Sequence, residues 1–355
     1  MPVVTLKPKR PSPFPSLRTA LWLYFFVLLS TGIAMIQWSP YIDPALLRFV
    51  VTLFVVLGFT LGVLYYTRTQ LSVVVGRGPD LISIVASVIA GAAIWMPVFW
   101  LSFIGYRWLD TTYGHLPDVP PSSLTVVSLL LQSGIVIPLC QGLLFFGVIQ
   151  FAATKFDKVQ RALLVAVLFA FYSLLISPSG LGLASIPGQF IVYLVAALAV
   201  TFTGRVWYGV VISAVYALIW TIFNNQILGL QLSILNYIGP EDFGKNFLTV
   251  RWLFPIVIGA FLTFLMLQVI SARATAQKTA DTLAQSVTPA RLKAWWWLPL
   301  LLSLVFVLFA GYGEIGGIRK LHPIAQAAPP AATKTSGSTS LPIPLPTVAL
   351  PGSGQ

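Results

Sequence analysis

Two histidines and several acidic residues are the side chains whose types could bind a metal ion. His115 lies close in sequence to Asp110 and Asp118, a further acidic pair occupies positions 241–242, and His322 stands near the C-terminus. Protein metal sites place their ligands at characteristic short spacings, and none of those spacings links these residues. We therefore predict no metal site and interpret both histidines as solvated loop residues.

A cysteine nucleophile is the second kind of chemistry that the residue types allow. Cys140 is the single cysteine of the chain, and it would need a neighbouring base to form the reactive thiolate. Ser173 could lie near it, but a serine supplies no such base. We interpret Cys140 as a small apolar core residue, and its being alone excludes an intrachain disulfide.

Most of the chain consists of long apolar segments that contain no Asp, Glu, Lys, Arg or His. Hydrophobic residues make up 57% of the 355 residues and charged residues only 8%, whereas soluble proteins carry about 25% charged residues. Ionisable side chains held inside a bilayer usually serve ion transport or intramembrane chemistry. Because the apolar segments lack such side chains, we predict that the part of the protein inside the membrane performs neither ion transport nor intramembrane chemistry.

These segments predict an all-α fold, a polytopic membrane helix bundle with about nine transmembrane helices. A bilayer core is crossed by roughly 20 apolar residues. The segments near that length are 19–37, 49–66, 81–104, 124–153, 162–176, 188–203, 209–230, 253–270 and 297–311. Ser83, Ser87 and Gly91 recur at four-residue spacing, as do Gly58 and Gly62. Because small residues at this spacing let helices approach closely, we expect both sets to pack within the molecule.

The distribution of basic residues predicts the orientation. If the loops alternate, the side that holds the N-terminus carries about twice as many of the 21 lysines and arginines as the other side. A basic excess marks the cytoplasmic side, so the N-terminus is predicted inside and the C-terminus outside. The net charge of +12 then reflects orientation in a bacterial-type inner (plasma) membrane, and we predict no nucleic-acid partner.

Three regions follow from this layout. Residues 1–18 form a basic cytoplasmic segment, and residues 19–311 form the transmembrane domain, whose first span we interpret as retained rather than as a cleaved signal peptide. Residues 312–355 are rich in proline, serine and threonine. Such a composition cannot bury enough apolar surface to fold, so we expect a disordered extracytoplasmic tail.

One stretch of the fourth segment has the frame of a known motif. It reads PLCQGLLFFGVIQ from position 138 to 150, against the frame P-x-x-E-E-x-x-F-R-G-x-x-Q. The matching residues are Pro138, Phe145, Gly147 and Gln150. In these residues the chain resembles the CAAX prenyl protease and bacteriocin-processing (CPBP, or Abi) family of intramembrane proteases, over about residues 124–230.

The positions where that family carries catalytic residues hold other side chains here. The glutamate pair and arginine map to Gln141, Gly142 and Phe146. The histidine of the second motif maps to Ser173, and the histidine and asparagine of the third map to Trp220 and Asn224, unless a shifted alignment uses Tyr216. These residue types neither activate water as a glutamate does nor complete a zinc site. The resemblance therefore implies a catalytically degenerate member.

Depth in the membrane gives a second reason to group three of these positions. Gln141, Ser173 and Trp220 each lie roughly 20 Å, at ~1.5 Å per helical residue, from the nearest predicted cytoplasmic charge, so they would share one level. Gln141 and Ser173, together with Ser133 and Asn224, could form a buried polar network between helices. Such a network is a structural role for the whole degenerate site.

The function we predict is a catalytically inactive, CPBP-like membrane protein that binds or scaffolds a membrane partner. It could act as a pseudoprotease with a retained cavity or as a subunit of a membrane complex. The alternatives are an active CAAX-type intramembrane endopeptidase with a non-standard site and a neutral-solute carrier. The predicted partners are other integral membrane proteins and lipid, and no small-molecule substrate is identified. No cofactor is predicted, although bound lipid, quinone or pigment is left open.

Overall fold

The structure is a computed structural model that describes residues 14–76, 78–102, 105, 124–153, 156–176, 182–224, 250–281 and 297–321. In these ranges every regular element is a helix and no strand occurs. Both histidines and the acidic residues near them lie outside the described residues, as do positions 1–13 and 322–355. The backbone of Asn224 is described but its side chain is not.

The described chain forms ten helices. In order they are α1 (Leu17–Trp38), α2 (Pro44–Tyr66), α3 (Leu71–Val75), α4 (Leu81–Ser102), α5 (Val126–Ala152), α6 (Lys158–Ile176), α7 (Gly182–Thr203), α8 (Val206–Asn224), α9 (Val250–Asp281) and α10 (Trp297–Leu321). Seven of them are long and apolar enough to cross a membrane: α1, α2, α4, α5, α6, α7 and α9. The predicted class of all-helical membrane protein is therefore confirmed.

The other two predicted spans also coincide with helices, but their apolar stretches are shorter. In α8 the stretch runs over Val206–Ile222, and in α10 it runs over Leu298–Ala310. Helix α10 continues to Leu321, so it extends into the segment predicted as a disordered tail. Adding a residue to an existing helix costs far less free energy than starting a helix, so a helix can extend beyond its apolar stretch.

Polar side chains set where four of the membrane helices begin. A side-chain oxygen at each start accepts a hydrogen bond from a backbone N–H of the first turn, the usual N-cap arrangement. The four capping residues are Ser16 before α1, Asp43 before α2, Asp80 before α4 and Thr125 before α5. Helix ends are thus specified by local sequence as well as by hydropathy.

Helices α2 and α6 begin earlier than the apolar segments that predicted them, and each therefore includes an arginine. Arg48 lies in the first part of α2, and its Nε donates to the Ile176 carbonyl at the end of α6, 3.1 Å away. Arg161 lies in the first turn of α6. A helix can thus begin before its apolar segment and include an arginine, because a charged residue lowers hydropathy without ending a helix.

Helix α5 lies inside the bundle, where it contacts α1, α2, α3, α6 and α8. In its apolar window 72% of the residues are buried, against 28% in α2 and 22% in α9. Helices α6 and α7 pair along their length, and α4 packs against both α8 and α9. The motif-bearing helix is therefore the most enclosed of the seven, and α2 and α9 are peripheral.

Glycines permit the closest helix approaches. A Cβ placed on Gly91 of α4 would lie 2.7 Å from the Ile212 carbonyl oxygen of α8, and one on Gly259 of α9 would lie 2.6 Å from the Ala93 carbonyl oxygen. Ser83 and Ser87 are buried on α4 as well. The predicted packing role of this small-residue set is confirmed.

The second small-residue set behaves differently. Gly58 and Gly62 of α2 are exposed, and no described atom would lie within 4 Å of a Cβ placed on either of them. The prediction that they pack within the molecule is wrong, because α2 turns this face away from the bundle.

Candidate functional site

Gln141 is held at the centre of α5 between two π-helical segments, Gln132–Val136 and Leu143–Ile149. A π-helical turn is rare and is often found at functional sites. Gln141 is only 3% exposed, and its Oε1 accepts a hydrogen bond from the Tyr193 hydroxyl of α7 at 3.0 Å. This bond joins the motif helix to a tyrosine that the sequence analysis did not single out.

Four buried side chains from four helices form a polar cluster around the Tyr172 hydroxyl of α6. Thr31 of α1, Thr52 of α2 and Gln141 of α5 all face that hydroxyl. Thr31 Oγ1, Thr52 Oγ1, Tyr172 Oη and Gln141 Nε2 are all buried without a hydrogen-bond partner among the described residues. Buried polar atoms cost free energy unless they are hydrogen-bonded, so each of these four atoms has an unmet hydrogen-bonding requirement.

The backbone of α2 is distorted at this point as well. A third π-helical segment begins at Thr52 and ends at Leu57. Sequence reasoning missed Thr31, Thr52 and Tyr172 because it searched the spans for charges. Hydroxyl-bearing residues within the apolar stretches of α1, α2 and α6 are the signal that could have found them.

Aromatic rings fill the space on the other side of Gln141. The Tyr193 ring stacks on Phe169 and also on Phe146, at a centroid distance of 5.5 Å. Phe145 meets Phe169 edge to face at 5.0 Å. Phe146, the position to which the arginine of the family frame maps, belongs to this packed ring set.

The first-motif positions leave no room for the residues that they would need. A Cβ on Gly142 would collide with Val210 Cγ2 of α8. Phe146, at the arginine position, is 0% exposed. Neither a second glutamate nor an arginine could occupy these positions without displacing the Val210 side chain or the aromatic rings.

The remaining predicted site and network positions are spread over α5, α6 and α8. The Ser173 hydroxyl donates to the Ala170 carbonyl at 2.7 Å, and the Ser133 hydroxyl likewise donates along its own helix to Leu129. Trp220 stacks on Tyr216 at a centroid distance of 6.1 Å. These two serine bonds stay within one helix, whereas Gln141 bonds to Tyr193 of another helix.

Cys140 is buried and free. It lies one residue before Gln141, in the α-helical part of α5 between the two π-helical segments. Its interpretation as a core residue is confirmed.

Mutation can measure how much the hydrogen bond between Gln141 and Tyr193 contributes to the stability of the protein. We expect Tyr193→Phe to destabilise the protein by about 0.5–1.5 kcal/mol, because it leaves a buried amide oxygen without its donor. Thermal unfolding of the purified protein in detergent measures this. In a Gln141→Leu background the same change should cost clearly less. Equal costs in the two backgrounds would show that the bond contributes nothing.

Comparisons with known proteins found no matching family model, no matching curated protein and no matching solved structure. The resemblance to the CPBP family therefore remains a prediction that depends on the frame from Pro138 to Gln150.

Proposed function

We propose that this chain is a catalytically inactive membrane protein that acts as a scaffolding subunit of a membrane complex. The observation that carries the proposal is the filled first-motif region, in which Val210 occupies the space beside Gly142 and Phe146 is buried among aromatic rings. A peptidase of the resembled type needs a proton-accepting carboxylate there. Gln141 and Gly142 supply none.

The same packing favours a subunit over a pseudoprotease with a retained cavity. A substrate helix or peptide would have to displace the ring of Tyr193 together with those of Phe146 and Phe169, on both of which it stacks. Partner binding through the outer surface requires no such displacement. The outer surface is therefore the part of the molecule to which we assign the partner.

The outer face of α2 is the surface we assign to another transmembrane helix. Gly58 and Gly62 present no side chain there, and Phe54 and Tyr65 beside them are 71% and 88% exposed. Small residues at four-residue spacing let a second helix backbone come close, and large neighbours on the same face add packing area.

The proposal includes a topology. All nine apolar helices cross an inner membrane of bacterial type, with the N-terminus in the cytoplasm and the C-terminus outside, as the basic residues favour. The CPBP-like core would then be an inherited scaffold rather than an active centre. Partners would be integral membrane proteins and lipid.

Purification of the full, tagged chain from its native membrane tests the function. We expect mass spectrometry to find an integral membrane protein in stoichiometric amount, and we expect the Gly58→Leu/Gly62→Leu variant to lose it while remaining folded. Ala260→Leu, which introduces a leucine side chain at an exposed position of α9, should retain it.

Two outcomes would contradict the proposal in different ways. A lone wild-type protein that cleaves peptides would overturn the scaffold function. Retention of the partner by the Gly58→Leu/Gly62→Leu variant would overturn the assignment of the partner to α2. The scaffold function would then require another face of the molecule.

A further inference from the structure

A cavity lies at the end of the bundle where α5 ends, α6 begins and α7 ends. Its volume is about 240 Å³, below the roughly 300–1,000 Å³ of sites that enclose drug-sized molecules. Since α5, α6 and α7 are each long enough to cross a membrane, their ends lie near the level of the lipid headgroups. The cavity thus has the size and the position for a headgroup.

Two cations line this cavity. Lys158 is exposed, and Arg161 is half-buried, with its Nε donating to the Phe156 carbonyl at 2.8 Å. Both belong to the first turn of α6, where the helix dipole adds partial positive charge. Asp157 acts electrostatically on Arg161 but is not part of the lining. The lining itself therefore favours an anion.

Gln150 gives the cavity a second requirement. This residue is 2% exposed, and its Nε2 donates to the Ala197 carbonyl at 2.7 Å and to the Thr201 hydroxyl. A carbonyl can only accept, so the nitrogen must face Ala197 and the orientation of the amide is determined. Gln150 Oε1 is then a buried acceptor with no donor among the described residues. Because Gln150 belongs to the lining, a ligand group that reaches this oxygen must offer an N–H or O–H.

The rest of the lining is partly apolar. Phe151 and Val200 contribute hydrocarbon surface beside the polar groups. An anion that also carries a hydrogen-bond donor and an adjoining apolar part would match the cations, the Gln150 acceptor and the apolar side chains of the lining.

We propose that this cavity binds the headgroup of a glycerophospholipid. The phosphate pairs with Lys158 and Arg161, and an ammonium or hydroxyl group of the same headgroup donates to Gln150 Oε1. Phosphatidylethanolamine and phosphatidylglycerol carry both features. Phosphatidylcholine carries the phosphate, but its quaternary ammonium has no N–H to donate. The site is independent of the scaffold function proposed above.

Lipid binding to the full chain tests this site. The chain is placed in phosphatidylcholine nanodiscs, phosphatidylethanolamine or phosphatidylglycerol is added, and retained lipid is counted by native mass spectrometry. We expect one retained molecule of either added lipid and none of phosphatidylcholine. Lys158→Glu should weaken the retention about tenfold, since it replaces one attraction to phosphate by a repulsion.

Arg18→Glu is the matched control. Arg18 is exposed in the first turn of α1, is predicted on the same side of the membrane, and does not line the cavity. It should retain lipid as the wild type does. Equal losses of bound lipid in Lys158→Glu and Arg18→Glu would show that only general surface charge matters, and would overturn the proposal. Retention of phosphatidylcholine equal to that of the added lipids would overturn it as well. Displacement of the lipid by glycerol 3-phosphate at low concentration would assign the site to a soluble phosphate ester instead.

Discussion

Phe146→Arg is expected to prevent the chain from reaching its folded state. The Phe146 side chain is 0% exposed and stacks on Tyr193 with an interplanar angle of 23°. Its ring also lies 2.9 Å from where a Cβ on Gly209 would be. An arginine there would bury an unpaired charge, which costs on the order of several kcal/mol, comparable to the whole stability of many proteins.

The readout for this variant is the yield of monodisperse protein after extraction into detergent. Phe146→Leu is the control, because it shortens the side chain without adding charge and should yield folded protein with a lower midpoint of thermal unfolding. A well-folded Phe146→Arg protein would show that the interior accepts a charge at this level. It would also reopen the case for the endopeptidase alternative.

The same close packing determines how the catalytic residues of the family frame could be introduced into this chain. Gly142→Glu would meet Val210, so the glutamate pair could be installed only with a smaller residue at position 210. Failure of a fully reverted chain to fold would therefore say nothing about catalysis. An informative reversion starts from a Val210→Gly background that has been shown to fold.

Gly91→Leu is expected to separate α4 from α8 and to abolish stable folding. A Cβ at this position would already lie 2.7 Å from the Ile212 carbonyl oxygen and 3.0 Å from Val215 Cβ. The nearest obstacle is backbone, which cannot rotate away as a flexible side chain can. Even Gly91→Ala should cost about 1–3 kcal/mol, the usual penalty for overpacking.

Gly62→Leu is the matched control for this effect. Both glycines lie in apolar helices, but no described atom approaches a Cβ on Gly62 within 4 Å. Thermal unfolding of the purified chain should therefore show a large loss for Gly91→Leu and little change for Gly62→Leu. Similar midpoints for both variants would contradict the close approach of α4 and α8.

Much of the fold could be predicted from hydropathy alone. Over its described residues, each of the nine predicted apolar segments coincides with a helix, because a chain in a bilayer must satisfy its backbone hydrogen bonds within each segment. Helix ends were less predictable. Arg48 and Arg161 lie within helices that begin before the apolar segments predicted from hydropathy. Capping residues and neighbouring helices decide where a helix starts.

The candidate site was predictable only in part. The frame around Gln141 drew attention to the right turn of α5, and the residue types at Gly142 and Phe146 already indicated lost catalysis. Nothing local indicated that Tyr193 would bond Gln141 or that Val210 would lie over Gly142. These contacts join residues that are far apart along the chain.

The sequence by itself determined that this is an apolar, helical membrane chain whose motif helix lacks acid and base. Only the tertiary structure decided which of its uncharged polar groups meet, as Thr31, Thr52 and Tyr172 do beside Gln141. It also decided that Gly91 is buried while Gly62 is exposed. The physical reason is that helix formation depends on neighbours within about one turn, whereas helix packing depends on the shapes of side chains that only the folded bundle brings together.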